Sequence, residues 1–319
     1  MSTRERAIDG RARVEFIPGD AASALALARA CARAKGGGVD VSSRDGFVSA
    51  RALWAVYDIV SVVAPQCDVV PVFQRRDARG ASASAGERAM GGSNIDAVET
   101  TRGGGASDVS DAVERDVLAR ARAHGARASS SSSVSSPTSS ASSVDALEYD
   151  FERDGVMESV SVGGTFDRLH AGHRLLLAAA MRAVKPGGTL YVGVTSSELL
   201  ANKSYGEYVE SYEARAASVG AFLAACDPTG TVDVRVGPLD KNPPLAATVR
   251  EMRGLVISKE TIAGAEALND MRASAGFDAL RFIVVDVVGA SSDGDAARDK
   301  LSSTKLRARD AQRASREHL

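Results

Sequence analysis

Val160-Ser161-Val162-Gly163-Gly164-Thr165-Phe166-Asp167-Arg168-Leu169-His170-Ala171-Gly172-His173 is an apolar run that ends in two glycines and passes into a helix carrying two histidines. A strand closing on Gly163 and Gly164 lets backbone N–H groups approach an anion closely, and the helix that follows points its positive end at the same place. His170 and His173 stand three residues apart on the first helical turn, which puts both imidazoles on one face. A lone histidine at a helix start is usually a cap, and a lone glycine pair is usually a turn. Here two of the four histidines of the chain fall inside one glycine-bracketed turn behind a strand. That combination points to phosphate chemistry, with imidazoles stabilising negative charge.

Working outward from this turn, the second half of the chain alternates regularly. Strands are expected at Val160–Val162, Leu190–Val194, Val232–Val236, Gly254–Ile257 and Leu280–Val288. Helices are expected over Ala171–Val184, Tyr212–Ala225, Ala263–Ala275 and from Ser303 onward. Strands that are continuous apolar runs between helices predict a parallel sheet covered on both faces, hence an α/β, Rossmann-like doubly wound domain over residues 151–319. Ligands of such sheets bind beyond the carboxyl ends of the strands, where the Gly163 turn, Thr195, Ser258 and the segment after Val288 fall.

Residues 1–76 contain a smaller α/β pattern, with β-like runs at Val14–Ile17 and Val69–Phe73 around an alanine-rich helix, Ala21–Ala34. Gly36, Gly37 and Gly38 read as a helix stop, since no lysine-threonine or lysine-serine pair follows to make a P-loop. Residues 77–150 turn to Gly, Ala, Ser and Arg, with a serine tract from Ser129. Such a stretch buries too little apolar surface to offset its ordering entropy and is expected to be a disordered linker, with a short helix at 110–123.

At 319 residues, with 44% hydrophobic and 25% charged residues and a net charge of −2, the chain has the composition of an ordinary soluble protein. Nothing in it implies a nucleic-acid partner. Cys31, Cys67 and Cys226 lack metal-ligand spacing and read as reduced thiols. The most apolar run, Leu53–Val63, is too short to cross a membrane and contains Asp58. The N-terminus has no apolar core like that of a secretory signal, so the cytoplasm is expected and an organelle presequence is not favoured.

Six motifs stand in one order: G-G-T-F-D-R-L-H-A-G-H at Gly163–His173, V-G-V-T at Val192–Thr195 and L-L-A-N-K at Leu199–Lys203. Y-E-A-R at Tyr212–Arg215, V-I-S-K-E-T-I-A-G-A-E-A-L-N at Val256–Asn269 and L-S-S-T-K-L-R at Leu301–Arg307 follow. In these the domain resembles the phosphopantetheine adenylyltransferases of the eukaryotic type, a branch of the nucleotidyltransferases. The resemblance implies transfer of an adenylyl group from ATP to 4′-phosphopantetheine, giving dephospho-coenzyme A and pyrophosphate, with Mg2+ carried on the ATP. It implies that His173 and His170 contact the ATP phosphates, that Thr165 offers a hydroxyl to the attacking phosphate, and that Phe166 packs the turn. Lys203 matches the lysine that bridges the phosphates of both substrates.

Ser302, Ser303 and Thr304 precede a helix and are expected to cap it while binding nucleotide phosphates; Arg307 adds charge one turn on. Ser258, Lys259, Glu260 and Thr261 leave a strand for a helix near the adenine or ribose, and Arg272 is a weaker phosphate candidate. Asp167 reads as a turn-stabilising residue and not as a metal ligand. The segment Gly237–Pro244 departs from the aspartate-proline-glycine region usual in the family, and contacts to the pantetheine arm are not identifiable. A cytidylyltransferase of the same superfamily and a non-catalytic nucleotide-binding module are the alternatives. With no P-loop in the sequence, phosphorylation of dephospho-coenzyme A is expected to belong to a separate kinase.

Overall fold

The computed structural model describes residues 11–34, 38–43, 47, 49–64, 67–73, 109–130, 149–201, 203–286, 288 and 302–317. Gly36, Gly37, most of the serine tract and Leu301 lie outside the described residues. The C-terminal half forms a five-stranded parallel sheet from β4 (Met157–Gly164), β5 (Val184–Thr195), β6 (Asp233–Leu239), β7 (Gly254–Ser258) and β8 (Arg281–Val285), in the order β6-β5-β4-β7-β8. The chain steps outward from β4 to β6, then crosses back to lay β7 on the other side of β4. The order therefore reverses beside β4, and the Gly163 turn opens at that switch point.

The connecting helices are α4 (Ala171–Ala183), α5 (Tyr212–Cys226), the short α6 (Leu245–Thr248) and α7 (Ile262–Ser274); α8 (Ser303–Glu317) closes the chain. Helix α5 buries Arg215, Val219, Phe222, Leu223 and Cys226, a stripe at helical spacing. Helix α4 is different. Ala171, Leu175, Leu177 to Met181 and Ala183 are all buried, because α4 lies on the sheet with one side and takes a second partner on the other.

That partner is the N-terminal unit. β1 (Ala12–Glu15), β2 (Gly38–Ser42) and β3 (Asp68–Pro71) form a three-stranded parallel sheet in the order β1-β2-β3, crossed by α1 (Ala21–Arg33) and α2 (Ala50–Val63). The apolar run that sequence reading rejected as a membrane span is α2. It is apolar nearly all round, with Leu53, Val56, Tyr57, Ile59 and Val60 buried, because it packs on its own sheet and along α4. No described helix is long and apolar enough to cross a membrane. The backbone N–H of Phe73 donates to the Cys226 carbonyl at 3.0 Å, and one hydrophobic core runs through both units.

Within the expected linker, the helix is longer than read: α3 spans Asp111–Ser130 and packs on α1 and α2 through the buried Val117 and Ala121. Arg120 and His124 of α3 meet the buried Asp58 of α2 at 2.5 and 3.2 Å. Gly19, with φ +84°, lies so close to α3 that a Cβ there would stand 2.7 Å from the Gly125 Cα. Such contacts explain why this polar stretch orders where its composition alone would not. Cys31, Cys67 and Cys226 are free thiols, and the first two are hydrogen-bond partners.

Arg272, a phosphate candidate on sequence grounds, is a structural residue instead. It is fully buried, and its five N–H groups donate to the carbonyls of Asp278, Ala246, Val249, Arg250 and Met252 at 2.8 to 3.2 Å. Every donor of the guanidinium is used, so none is left for a ligand. Arg272→Met is expected to cost at least about 3 kcal/mol of unfolding free energy, because buried carbonyls lose charged donors; urea denaturation measures it.

Candidate active site

The turn after β4 is built on two left-handed residues that are not glycine, Phe166 at φ +52° and Arg168 at φ +48°. Conformations of this kind cost on the order of 1–3 kcal/mol each and persist only where the surroundings hold them. Phe166 is held by burial. Its ring lies under Gly164, where a Cβ would come within 3.0 Å of it, and presents an edge to His173 at 5.5 Å between centroids. A side chain at position 164 would press on this buried ring.

Arg168 is held by hydrogen bonds. Its backbone N–H donates to the Glu210 carboxylate at 2.6 Å, and its guanidinium reaches the Tyr208 carbonyl at 2.6 Å and Asp310 of α8 at 2.7 Å. Between the two sits Asp167, fully buried. Its carboxylate accepts from Arg307 at 2.6 Å, from the Glu210 N–H at 3.0 Å and from Arg168 at 3.2 Å, while its carbonyl accepts from Ser303 Oγ at 2.9 Å. This is the turn-stabilising role read from the sequence, with a reach the sequence did not show.

Arg307 is neither a surface residue nor a free phosphate ligand, as the sequence had left open. It is 2% exposed and spends its donors on Asp167, the Ser204 carbonyl and Thr304 Oγ1. Ser302 Oγ caps the helix by accepting from the Lys305 N–H at 3.4 Å. The three hydroxyls of Ser302, Ser303 and Thr304 thus make protein contacts, and what α8 brings to the turn is its N-terminal end and its positive dipole.

His170 is the N-cap of α4. Its Nδ1 accepts from the Gly172 N–H at 3.2 Å, which assigns the neutral ring's proton to Nε2. The His173 ring stacks on it, 3.9 Å between centroids and 21° between planes. Burial pushes the His173 pKa well below its ordinary value, and the charges of His170 and Arg174 push the same way. Nδ1 of His173 is buried and has no partner. A neutral imidazole with an unsatisfied ring nitrogen in an anion-binding turn is a group awaiting a ligand.

Thr165 is half-buried, and its carbonyl accepts from Arg215 at 2.7 Å; Arg215 also donates to the Glu210 carbonyl at 2.9 Å. Lys203 is exposed in the loop after β5 and lines a cleft of about 610 Å3 together with Glu210, Tyr212 and Arg215. The same arginine therefore touches both the Thr165 turn and the Lys203 cleft. A second cavity, about 770 Å3, begins at Gly163 and is walled mainly by apolar groups, among them Leu239, Pro243, Pro244 and Leu245. The segment Gly237–Pro244, which departed from the family pattern, forms one wall of it.

Ser258 ends β7 on the other side of the switch, where its hydroxyl pairs with that of Thr261 and Lys259 bonds Asp286 at 2.9 Å; Glu260 is exposed. The structure brings Gly163, Gly164, Thr165, Phe166, His170, His173 and the start of α8 into one place. It puts Lys203 on the adjoining cleft, and Ser258 and Glu260 at the next strand end. Sequence reading missed Glu210 and Arg168, and passed over Arg215 within Y-E-A-R.

A family model for cytidylyltransferase-like proteins matches residues 161–309. The phosphopantetheine adenylyltransferase of Saccharomyces cerevisiae is 34% identical over 173 residues, covering 50% of this chain and 55% of the relative. The chain thus spans about half the length of that relative. The protein of the same name from Pyrococcus abyssi is 32% identical over 151 residues, 47% of this chain and 89% of its own length. That of Methanothermobacter thermautotrophicus is 38% identical over 148 residues, 46% and 82%. With that much of the archaeal relatives matched, and the glycine turn, stacked histidines and α8 assembled at the switch point, the chain belongs to the phosphopantetheine adenylyltransferase family.

Proposed function

We propose that the protein transfers the adenylyl group of ATP to 4′-phosphopantetheine, releasing pyrophosphate and dephospho-coenzyme A. The observation that carries this reading is the stacked His170–His173 pair under a glycine turn, with a lysine cleft on one side and an apolar cavity on the other. A phosphate oxygen of phosphopantetheine attacks the α-phosphorus of ATP, and the bond from that phosphorus to the bridging oxygen of the β-phosphate breaks. No proton has to be taken from the attacking oxygen, so the protein's task is to hold two polyanions in line and to stabilise the charge that moves onto pyrophosphate.

His170 and His173 supply hydrogen bonds to the ATP phosphates without needing to be charged. The first N–H groups of α8 face the same anion, Lys203 neutralises phosphates of both substrates, and the Thr165 hydroxyl orients the attacking one. Ser258 and Glu260 lie toward the nucleoside. The apolar cavity that starts at Gly163 suits the uncharged pantetheine arm. Mg2+ comes with ATP as part of the substrate: among the described residues no group of three or more His, Cys, Asp or Glu side chains could hold a metal ion, and the Asp167 carboxylate is already engaged. We place the reaction in the cytoplasm, with a separate kinase phosphorylating the product.

Pyrophosphate release from ATP and 4′-phosphopantetheine, with CTP and other phosphate acceptors as controls, tests the reading; turnover confined to CTP would move it to a cytidylyltransferase. His173→Ala is expected to lower kcat by on the order of 10²-fold, as for loss of one preorganised donor, and full turnover by that variant would sink the catalytic role. Because Lys203 is exposed, Lys203→Ala should keep the wild-type melting temperature while kcat/KM falls.

The buried imidazole also has a signature in stability. The unfolded chain protonates His173 near pH ~6.5, whereas the folded chain resists until lower pH. Between those values the unfolded state binds the extra proton, so stability drops by up to about 1.4 kcal/mol for each unit that the pH is lowered, from this one group. Urea unfolding at two pH values below that point should show this slope in wild type and its loss in His173→Gln.

A further inference from the structure

We propose that the N-terminal unit is a positioning partner of the active-site helix and that it acts through Asp68, which holds Arg174 while Arg174 holds the backbone beside His170. The proposal rests on the adenylyltransferase reading for what α4 does in catalysis, but its contacts stand on their own. Arg174 follows His173 in the first turn of α4, and its side chain is 11% exposed. One arm of its guanidinium pairs with the Asp68 carboxylate at the start of β3. Its Nε donates to the Leu169 carbonyl at 3.1 Å, and its backbone N–H donates to the His170 carbonyl at 3.0 Å. The fork therefore ties the residue before His170 to a strand of the other sheet.

Asp68 is itself anchored. Arg11 donates to its second carboxylate oxygen at 2.5 Å and to its carbonyl at 2.9 Å, and reaches Asp40 of β2 at 2.5 Å. A line of polar contacts, Arg11 to Asp68 to Arg174 to the Leu169 carbonyl, runs from the three-stranded sheet to the turn. Where α2 lies along the alanine-rich side of α4 the seam is apolar, and backbone hydrogen bonds such as that from Phe73 to Cys226 lie at its margin. Apolar area holds two helices together but sets their rotation weakly, whereas a guanidinium fork fixes direction as well as distance. Direction matters here because the two imidazoles are stacked 3.9 Å apart and sit at opposite ends of the same turn of chain.

Without Asp68 the nearly buried guanidinium loses its counter-charge and must find another acceptor, which draws it off the Leu169 carbonyl. Lysine at position 174 would keep the charge opposite Asp68 but has no fork with which to reach both partners. Asp68 and Arg174 are thus positioning residues; neither is placed on a substrate.

The test uses the full chain and the variants Asp68→Asn, Arg174→Gln, Arg174→Lys and the double variant Asp68→Asn/Arg174→Gln. Glu114→Gln serves as a control that breaks an N-terminal ion pair away from α4, the 2.7 Å pair with Arg29. Steady-state kinetics with ATP and 4′-phosphopantetheine, ATP binding by equilibrium dialysis and melting temperature are read on each. A loss in kcat/KM on the order of tenfold is expected for each single variant, below the roughly 10²-fold that a full 1 Å misplacement costs. The double variant should be no worse than the poorer single one, because both remove the same link. Arg174→Lys should show the loss with a near-wild-type melting temperature, which a merely stabilising ion pair would not produce.

Wild-type kinetics and ATP affinity in Asp68→Asn or Arg174→Lys would overturn the proposal, as would losses that multiply in the double variant or a Glu114→Gln protein equally impaired. If Asp68→Asn fails to fold, Arg174→Lys decides by the same criteria. Wild-type protein that is silent with this substrate pair would remove the functional reading instead, and ATP binding by the variants would still judge Asp68.

Discussion

The buried Asp167 carboxylate and the arginine that meets it at 2.6 Å are the constraint on which the rest of the site depends. Neither group reaches water, and a buried ion pair of this kind gives little net stability beyond what apolar side chains would give. What it does give is geometry. It fixes the turn after β4, with its two left-handed residues, against the loop that carries Lys203 and against the first turn of α8. Those three segments lie far apart in the chain. A charge that cannot be left unpaired makes their meeting obligatory.

The same logic runs through the other buried arginines. Arg215 joins Thr165 to Glu210, Arg272 gathers five carbonyls under β7, and Arg174 ties α4 to β3. Each guanidinium presents a planar set of donors that can satisfy backbone carbonyls where no helix or sheet does. The sheet supplies the scaffold and the arginines determine how its loops are arranged. In the same turn, Nδ1 of His173 is buried without a hydrogen-bond partner among the described residues.

Much of the fold was legible in the sequence because hydrophobic runs and glycine turns are local signals. The strand before Gly163, the helix that starts at Ala171 and the stripe on α5 follow from periodicity alone. The N-terminal unit was legible only in part: β2 was not read, and α2 was noticed for its apolarity without its purpose. A helix that is apolar all round is ambiguous until its second neighbour is known, and α2's second neighbour is α4, more than a hundred residues further on. For α3 the sequence showed a short helix at 110–123 within the expected linker but not its packing, since Val117 and Ala121 cover a surface supplied by α1 and α2.

By itself the sequence determined the parallel α/β architecture, the strand-turn-helix with its two histidines at Gly163–His173 and the presence of a helix beginning at Ser303, because each rests on residues within a few positions of one another. The tertiary structure alone decided which charged residues face a ligand and which are spent inside. Arg272 looks like a phosphate ligand in a linear chain, and folding uses all its donors; Arg307 is drawn inside onto Asp167. Arg174 is carried to a nearly buried place beside the histidines, where it pairs with the half-exposed Asp68 of the other sheet. The physical reason is that a charged group acquires its role from what it is buried against, and burial is settled by contacts between residues far apart in the chain.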